Sequence, residues 1–181
     1  MRDTPKSLRL QIAIFGRTNV GKSSFLNMVA GQDIAITSKV PGTTTDVVEK
    51  SMELLPIGPV TFLDTAGIDD KSELSSLRIQ RTKKILDRAD LAVLITEKGV
   101  WTEHENQLID MFKKFEIPVI IVQNKSDLTH KTVIEPKIQE KFSKSIINCS
   151  TVDFKNRDKY ILEFKRLVQI SIPENFFTEK E

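Results

Sequence analysis

The stretch Gly16-Arg17-Thr18-Asn19-Val20-Gly21-Lys22-Ser23 decides the fold. It has the form G-x-x-x-x-G-K-[ST], in which two glycines let successive backbone N–H groups turn towards phosphate oxygens. The apolar run 12–15 before it predicts a buried strand, and the run 24–30 after it predicts a helix that Gly31 closes. A phosphate-binding loop requires this order of strand, loop and helix, so we predict one here.

Each part of this loop has a predicted contact with a bound nucleotide. Its backbone N–H groups and the helix N-terminus are expected to surround the phosphates. Lys22 is predicted to reach the terminal phosphates and to act in catalysis, and the Ser23 hydroxyl is predicted to ligate Mg²⁺. The nucleotide-binding residues predicted in this region are Asn19, Val20, Gly21, Lys22, Ser23 and Ser24.

The identity of the base is predicted from Asn124-Lys125-Ser126-Asp127. This motif follows the apolar run 119–122 and therefore lies at the carboxyl end of a strand, where open α/β sheets bind ligands. The Asp127 carboxylate can accept hydrogen bonds from N1–H and from the exocyclic amino group of guanine, a pair of donors that adenine lacks. Asn124 can bridge strand ends and the base, and the Lys125 stem can lie across the ring. We therefore predict a guanine nucleotide.

Two further motifs complete a predicted magnesium site. Asp64-Thr65-Ala66-Gly67 follows the strand-like run 60–63. Asp64 is placed to hold Mg²⁺ through water, and the Gly67 N–H is placed to bond the terminal phosphate. A threonine hydroxyl completes the shell of oxygen ligands that Mg²⁺ prefers. It comes from the motif Gly42-Thr43-Thr44-Thr45-Asp46, and we take Thr44 as the ligand. Thr44 and Gly67 thus join Lys22 as predicted catalytic residues.

The rest of the chain alternates predicted strands and helices, which is typical of an α/β domain. The runs 47–54 and 60–63 indicate strands, and the short link 55–58 between them allows only an antiparallel pair. We predict a mostly parallel six-stranded sheet with one antiparallel edge strand and helices on both faces. Residues 32–45 are expected to be mobile.

Composition excludes several functional classes. A length of 181 residues suits one domain. The net charge is +2, and charged residues of both signs are spread along the chain, so the sequence shows no basic patch of the kind that binds nucleic acid. A single cysteine excludes a disulfide framework. The N-terminus lacks a signal-peptide pattern, and no apolar run approaches the roughly 18 residues of a membrane span. We expect a cytoplasmic protein with no direct nucleic-acid or membrane partner.

With these motifs, the chain resembles the P-loop GTPases of the Era, EngA, MnmE and FeoB type. The resemblance is closest to HydF, the GTPase family of FeFe-hydrogenase maturation. It rests on three features: the third threonine of Gly42-Thr43-Thr44-Thr45-Asp46, the hairpin Glu53-Leu54-Leu55-Pro56-Ile57-Gly58-Pro59, and the pair Asp69-Asp70. It implies the P-loop GTPase fold, a GTP-binding domain over residues 1–172, and a tail over residues 173–181 that leads to downstream domains.

The resemblance also implies roles for residues that the motifs leave undefined. In potassium-stimulated relatives an asparagine at the position of Asn19 helps bind K⁺. The alternative for Asn19 is a loop residue that tolerates an unusual backbone angle. The guanine-closing loop falls near Cys149-Ser150-Thr151. Either Cys149-Ser150 or Ser150-Thr151 aligns with it, and we take Ser150 and Thr151 as the contacts.

Three functions remain open at this point. The first is a GTP-hydrolysing switch domain of hydrogenase maturation. Its cofactors would be GTP or GDP, Mg²⁺ and K⁺, with no iron–sulfur cluster on this chain. Its partners would be downstream dimerisation and cluster-binding domains and other hydrogenase maturases. The second is a ribosome- or tRNA-directed GTPase of the Era, EngA or MnmE kind. The third is a nucleotide-binding module without hydrolysis, because Ile68 stands where Ras-like enzymes carry a water-orienting glutamine.

Overall fold

The computed structural model describes residues 8–31, 36–38, 47–65, 75–97, 99–128, 136–174 and 176, which form a sheet covered by helices on both faces. A 3₁₀ turn, Ser126–Leu128, follows the sixth strand. The strands and helices, in chain order, are β1 (Leu10–Phe15), α1 (Lys22–Ala30), β2 (Ile36–Ser38), β3 (Val48–Leu54), β4 (Gly58–Asp64), α2 (Ser75–Leu86), β5 (Leu91–Glu97), α3 (Glu103–Lys114), β6 (Val119–Asn124), α4 (Pro136–Lys141), β7 (Ile146–Asn148) and α5 (Arg157–Ser171).

The strands lie in the order β2-β3-β4-β1-β5-β6-β7. Among these described strands only β3 runs against its neighbours, and the other pairs are parallel. The predicted α/β fold is confirmed, including the antiparallel β3–β4 hairpin. The prediction of six strands is corrected, because the described sheet has seven. Strand β2, three residues long, pairs with β3 on its outer side, so β2 and not β3 is the edge strand. Three residues are too few to show a periodicity, so β2 had no detectable signal in the sequence.

The core consists of two apolar layers, one on each face of the sheet. Strand β5 is buried from Leu91 to Thr96, as a parallel strand between two helix layers must be. Helices α1 and α5 cover one face, where the Phe25 and Phe164 rings meet edge to face at 5.2 Å. Helices α2 and α3 cover the other face, where Phe15 of β1 lies 5.1 Å from Phe112 of α3.

The parallel strands bring the predicted motifs to one edge of the sheet. The phosphate loop follows β1, Asp64 is the last residue of β4, and Asn124 is the last residue of β6. Because β1 lies between β4 and β5, the loop stands at the centre of this edge, where α/β sheets bind ligands.

Capping interactions define the C-terminal end of α1 and the N-terminal end of α3. The Gly31 N–H donates to the Asn27 carbonyl at 3.1 Å and ends α1. Thr102 caps α3 in a capping box, in which its hydroxyl accepts from the helix backbone and the Glu105 carboxylate accepts from the Thr102 N–H. Among the residues that the structure describes, no helix is both long and apolar enough to cross a bilayer.

Candidate functional site

The phosphate loop joins the buried end of β1 to the first turn of α1. Gly21 has φ +99°, in the left-handed region that glycine adopts without strain. Its carbonyl accepts from the Phe25 N–H at 2.9 Å, which starts the helix. The Lys22 side chain is 9% exposed, and its Nζ donates to the Gly16 carbonyl. The lysine ammonium is therefore held within the loop, where phosphate oxygens are predicted to lie.

Asn124 links the phosphate loop to the loop that follows β7. Its Nδ2 donates to the Val20 carbonyl at 2.9 Å, and its Oδ1 accepts from the Thr151 N–H at 3.3 Å. The Cys149 thiol lies 3.9 Å from the same oxygen. Burial raises the pKa of this thiol to about 12, so it stays protonated and packs as a small buried residue. One buried amide thus fixes the spacing between both ends of the site.

Lys125 makes a second link to the phosphate loop. Its Nζ donates to the Asn19 carbonyl at 2.7 Å and forms an ion pair with Glu97, the last residue of β5. Asn19 itself has φ +65°, the unusual backbone angle that the alternative interpretation of this residue predicted. No sequence motif pointed to Glu97, although its place at the carboxyl end of a central strand is a usable signal.

Asp127 lies in the 3₁₀ turn after β6, and Ser150 orients it. The Ser150 hydroxyl donates to Asp127 Oδ1 at 2.7 Å. The Ser126 N–H donates to the Cys149 carbonyl at 3.1 Å, which holds the two loops together. Ser150 therefore contacts the predicted base-reading carboxylate, while Thr151 contacts Asn124. That Ser150 and Thr151 contact guanine stays a prediction.

A cavity of about 560 Å³ unites these groups, a volume within the usual range for a small-ligand site. Of the predicted nucleotide contacts that the structure describes, Val20 alone does not line the cavity. Its side chain is buried, and its carbonyl accepts the hydrogen bond from Asn124. Leu128 and Val152 are 58% and 66% exposed and add apolar surface beside Asp127. The lining residues are Thr18, Asn19, Gly21, Lys22, Ser23, Ser24, Asn124, Lys125, Asp127, Leu128, Ser150, Thr151 and Val152.

The predicted magnesium ligands are described only in part. Ser23 lines the cavity, and Asp64 is 4% exposed at the end of β4, next to Ile14 of β1. Hydroxyl and carboxylate oxygens suit Mg²⁺, which takes its other ligands from phosphate and water. Thr44 and Gly67 lie outside the described residues, as do Ile68 and Asp69-Asp70. Within the described ranges, no group of three or more His, Cys, Asp or Glu residues could hold a metal ion by itself.

An ion pair behind the loop was also absent from the sequence predictions. Arg17 Nε donates to Glu105 Oε1 at 2.7 Å, and Glu105 is fully buried in the first turn of α3. Burial alone would raise the pKa of Glu105, but the hydrogen bonds from the Thr102 hydroxyl, the Thr102 N–H and Arg17 together lower it below its ordinary value. Glu105 is therefore an ionised carboxylate beneath the phosphate loop.

The sequence of this chain is similar to those of known GTPases. A family model described as 50S ribosome-binding GTPase matches residues 11–125. The tRNA modification GTPase MnmE of Prochlorococcus marinus (strain NATL2A) is 42% identical over 147 residues, which cover 78% of this chain and 31% of the relative. The GTPase Der of a Nitratiruptor species is 36% identical over 135 residues, which cover 72% and 29%. The chain thus spans about a third of the length of the curated relatives it matches.

Solved structures agree with this similarity. A variant of Aquifex aeolicus Era bound to GDP.AlF4- has a TM-score of 0.65 and 27% identity, with 91% of this chain and 57% of that chain covered. Era in complex with MgGDPNP and nucleotides 1506–1542 of 16S ribosomal RNA has the same TM-score, identity and coverage. The names of these proteins fit the Era, EngA and MnmE group, and the finer resemblance to HydF stays a prediction.

Proposed function

Since the chain belongs to the 50S ribosome-binding GTPase family, as a P-loop GTPase of the Era, EngA and MnmE type, we propose that it is a guanine-nucleotide switch domain. In this proposal it binds GTP, hydrolyses it to GDP and phosphate, and changes conformation with the state of the nucleotide. The observation that carries the proposal is Asn124, which contacts both Val20 of the phosphate loop and Thr151 of the base-reading end. The cavity beside it would take a phosphate chain at the first end and a purine at the second.

The proposed chemistry is phosphoryl transfer to water. A water oxygen bonds to the terminal phosphorus, and the bond from that phosphorus to the bridging oxygen of GDP breaks. The loop N–H groups and Lys22 stabilise the charge that develops on the phosphate oxygens. Ser23, Asp64 and Thr44 would hold Mg²⁺, which when bound neutralises charge across the last two phosphates. Gly67 would bond the terminal phosphate through its N–H.

Potassium stimulation at Asn19 is part of this proposal and gives its direct test. We expect the chain to release phosphate from GTP but not from ATP, at about 10⁻⁴ to 10⁻² s⁻¹ without a partner. The rate is expected to fall when Na⁺ replaces K⁺, because the resemblance to potassium-stimulated relatives implies a K⁺ site at Asn19. Phosphate release should be measured in both salts with Mg²⁺ present. A chain that binds GTP without releasing phosphate would support the binding-module alternative instead.

Asn19→Gly is the matched control for the potassium site. Glycine keeps the φ of +65° at this position, so the Asn19 carbonyl can still accept from Lys125 while the side-chain oxygen is removed. If the side chain holds K⁺, the variant loses the difference between K⁺ and Na⁺ and still binds GDP. Equal rates in the two salts for the wild-type chain would end this part of the proposal.

For the full-length protein, the relatives favour a tRNA- or ribosome-directed role over hydrogenase maturation. Those relatives are named tRNA modification GTPase MnmE and GTPase Der, and one Era structure contains 16S ribosomal RNA. The hairpin over residues 53–59 favours the second candidate, a switch domain for metallocluster assembly in hydrogenase maturation, in the manner of HydF. Both roles use the same GTP-dependent switch and differ in the downstream partner.

Purification of the native full-length protein under anaerobic conditions separates the two roles. We expect the RNA-directed role to give bound tRNA or ribosomal particles, which RNA sequencing detects. Hydrogenase maturation would instead give stoichiometric iron and sulfide with an absorbance band of an iron–sulfur cluster. An iron–sulfur cluster without RNA would overturn the RNA-directed role. RNA without a cluster would overturn the role in hydrogenase maturation.

A further inference from the structure

Glu105 has three hydrogen-bond donors on one fully buried carboxylate. Its Oε1 accepts from Arg17 Nε at 2.7 Å. Its Oε2 accepts from the Thr102 N–H at 2.7 Å and from the Thr102 hydroxyl at 2.6 Å. Each carboxylate oxygen thus serves a different part of the molecule, the phosphate loop on one side and the start of α3 on the other.

On the α3 side, the residue that Glu105 binds lies next to a pair of aromatic rings, Trp101 and Phe142. Trp101, the only tryptophan of the chain, directly precedes the Thr102 cap, and its Nε1 donates to Asn106 Oδ1 at 2.8 Å. The Trp101 ring packs against Phe142, just after α4, with 6.4 Å between ring centroids. A shift of the α3 cap would therefore change the surroundings of a single, natural fluorophore.

On the loop side, Arg17 follows Gly16, the residue whose carbonyl accepts from Lys22. The Arg17 carbonyl accepts from the Val20 N–H at 3.4 Å, and the Val20 carbonyl accepts from Asn124. Arg17 is not among the described residues that line the cavity. Its side chain can therefore set the path of the loop without touching the nucleotide.

We propose that Glu105 is a positioning residue for the phosphate loop, and that the Arg17–Glu105 ion pair couples nucleotide occupancy to the N-terminal end of α3. This inference rests on the proposed function, because it requires a nucleotide in the loop. Coupling between two sites is reciprocal: if the α3 cap strengthens nucleotide binding by a given factor, the nucleotide strengthens the cap by the same factor. The end of α3, with Trp101 and Phe142, is then a surface at which nucleotide state can be read.

The substitution Glu105→Gln separates this coupling from simple capping. Glutamine has one acceptor oxygen instead of two, and glutamine is an accepted residue at this position of a capping box. Its oxygen can serve the Thr102 N–H, which leaves its NH₂ group facing the Arg17 donor. The variant therefore keeps the cap and loses the ion pair. Thr102→Val is the matched control, because it removes the cap hydroxyl with its hydrogen bond to Glu105 Oε2 and keeps the Arg17–Glu105 ion pair on Oε1.

Calorimetric titration with GDP and Trp101 fluorescence provide the test. We expect Glu105→Gln and Arg17→Met each to lower GDP affinity about 5- to 20-fold, and the double variant to lose no more than either single variant. We expect Thr102→Val to lower the melting temperature while GDP affinity stays within about 2-fold. Trp101 emission should change on GDP binding in the wild-type chain, and this change should vanish in Glu105→Gln at saturating GDP.

Three outcomes would overturn the inference. The first is wild-type GDP affinity in Glu105→Gln. The second is a loss of affinity in Thr102→Val equal to that in Glu105→Gln, which would mean that helix stability alone explains the effect. The third is unchanged Trp101 emission when the wild-type chain binds GDP. A wild-type chain that binds no guanine nucleotide would overturn the proposed function itself, and calorimetry on the unmodified chain shows this before any variant is made.

Discussion

Replacement of Asp127 by asparagine is expected to weaken GDP binding by about 100-fold or more and to abolish the preference for guanine. The carboxylate accepts from two guanine donors in the proposed complex, whereas an amide presents an N–H to one of them and leaves it unpaired. Xanthosine diphosphate carries a carbonyl where GDP carries its amino group, so we expect it to bind the variant better than GDP does. Titration calorimetry with GDP, xanthosine diphosphate and ADP measures the change.

The control for this variant is Asp158→Asn, which removes the same charge from an exposed position in the first turn of α5. We expect it to leave all three affinities unchanged. In Asp127→Asn the Ser150 hydroxyl can still donate to the remaining side-chain oxygen, so the loop should keep its shape. Retained guanine preference in Asp127→Asn would mean that another residue reads the base.

Alanine at Gly21 is the second substitution with a large expected effect. A Cβ at this position would lie 2.2 Å from Asn124 Nδ2, far inside van der Waals contact, and φ is +99°. The added methyl must push Asn124 away from the Val20 carbonyl and so separate the two ends of the site. We expect loss of detectable GDP binding together with a lower free energy of unfolding, measured by calorimetry and by urea denaturation.

Gly31→Ala separates backbone strain from this steric clash. Gly31 also has a positive φ, +62°, but a Cβ there would meet nothing within 4 Å. We expect this variant to lose about 1 to 3 kcal/mol of stability, because φ +62° with ψ −148° is a backbone conformation that almost only glycine adopts, with GDP affinity unchanged. Should Gly21→Ala bind GDP as tightly as Gly31→Ala does, the contact between Asn124 and the loop would not be needed for the site.

The main parts of the site could be predicted because local sequence encodes them. The phosphate loop and the motif from Asn124 to Asp127 each follow a continuous apolar run, and such runs identify buried parallel strands. Parallel strands then bring both motifs to one edge of the sheet, so the cavity follows from two short patterns. Helix α1 covers the predicted run 24–30 for the same reason, and it ends at Gly31 as predicted.

The side chains that support these motifs could not be predicted. Glu97 pairs with Lys125 and Glu105 pairs with Arg17, and the partners are 28 and 88 residues apart in the chain. No local pattern relates them, because each pair exists only after the strands and helices have packed. Threonine is a common residue type at a helix N-cap, which suits Thr102 of α3, but nothing in the local sequence placed the Glu105 carboxylate beneath the phosphate loop.

The central place of β1 has a consequence for the protein during its synthesis. Ile12 pairs with Phe62 on one side and with Leu91 on the other. The loop after β1 also accepts hydrogen bonds from Asn124 and Lys125, which lie 104 and 106 residues from their partners in the chain. A ribosome therefore finishes the glycine-rich loop long before it has made the neighbours that shape it. Nascent chains that stop short of β6 carry the motif without a pocket, so GTP can act as a ligand only late in translation.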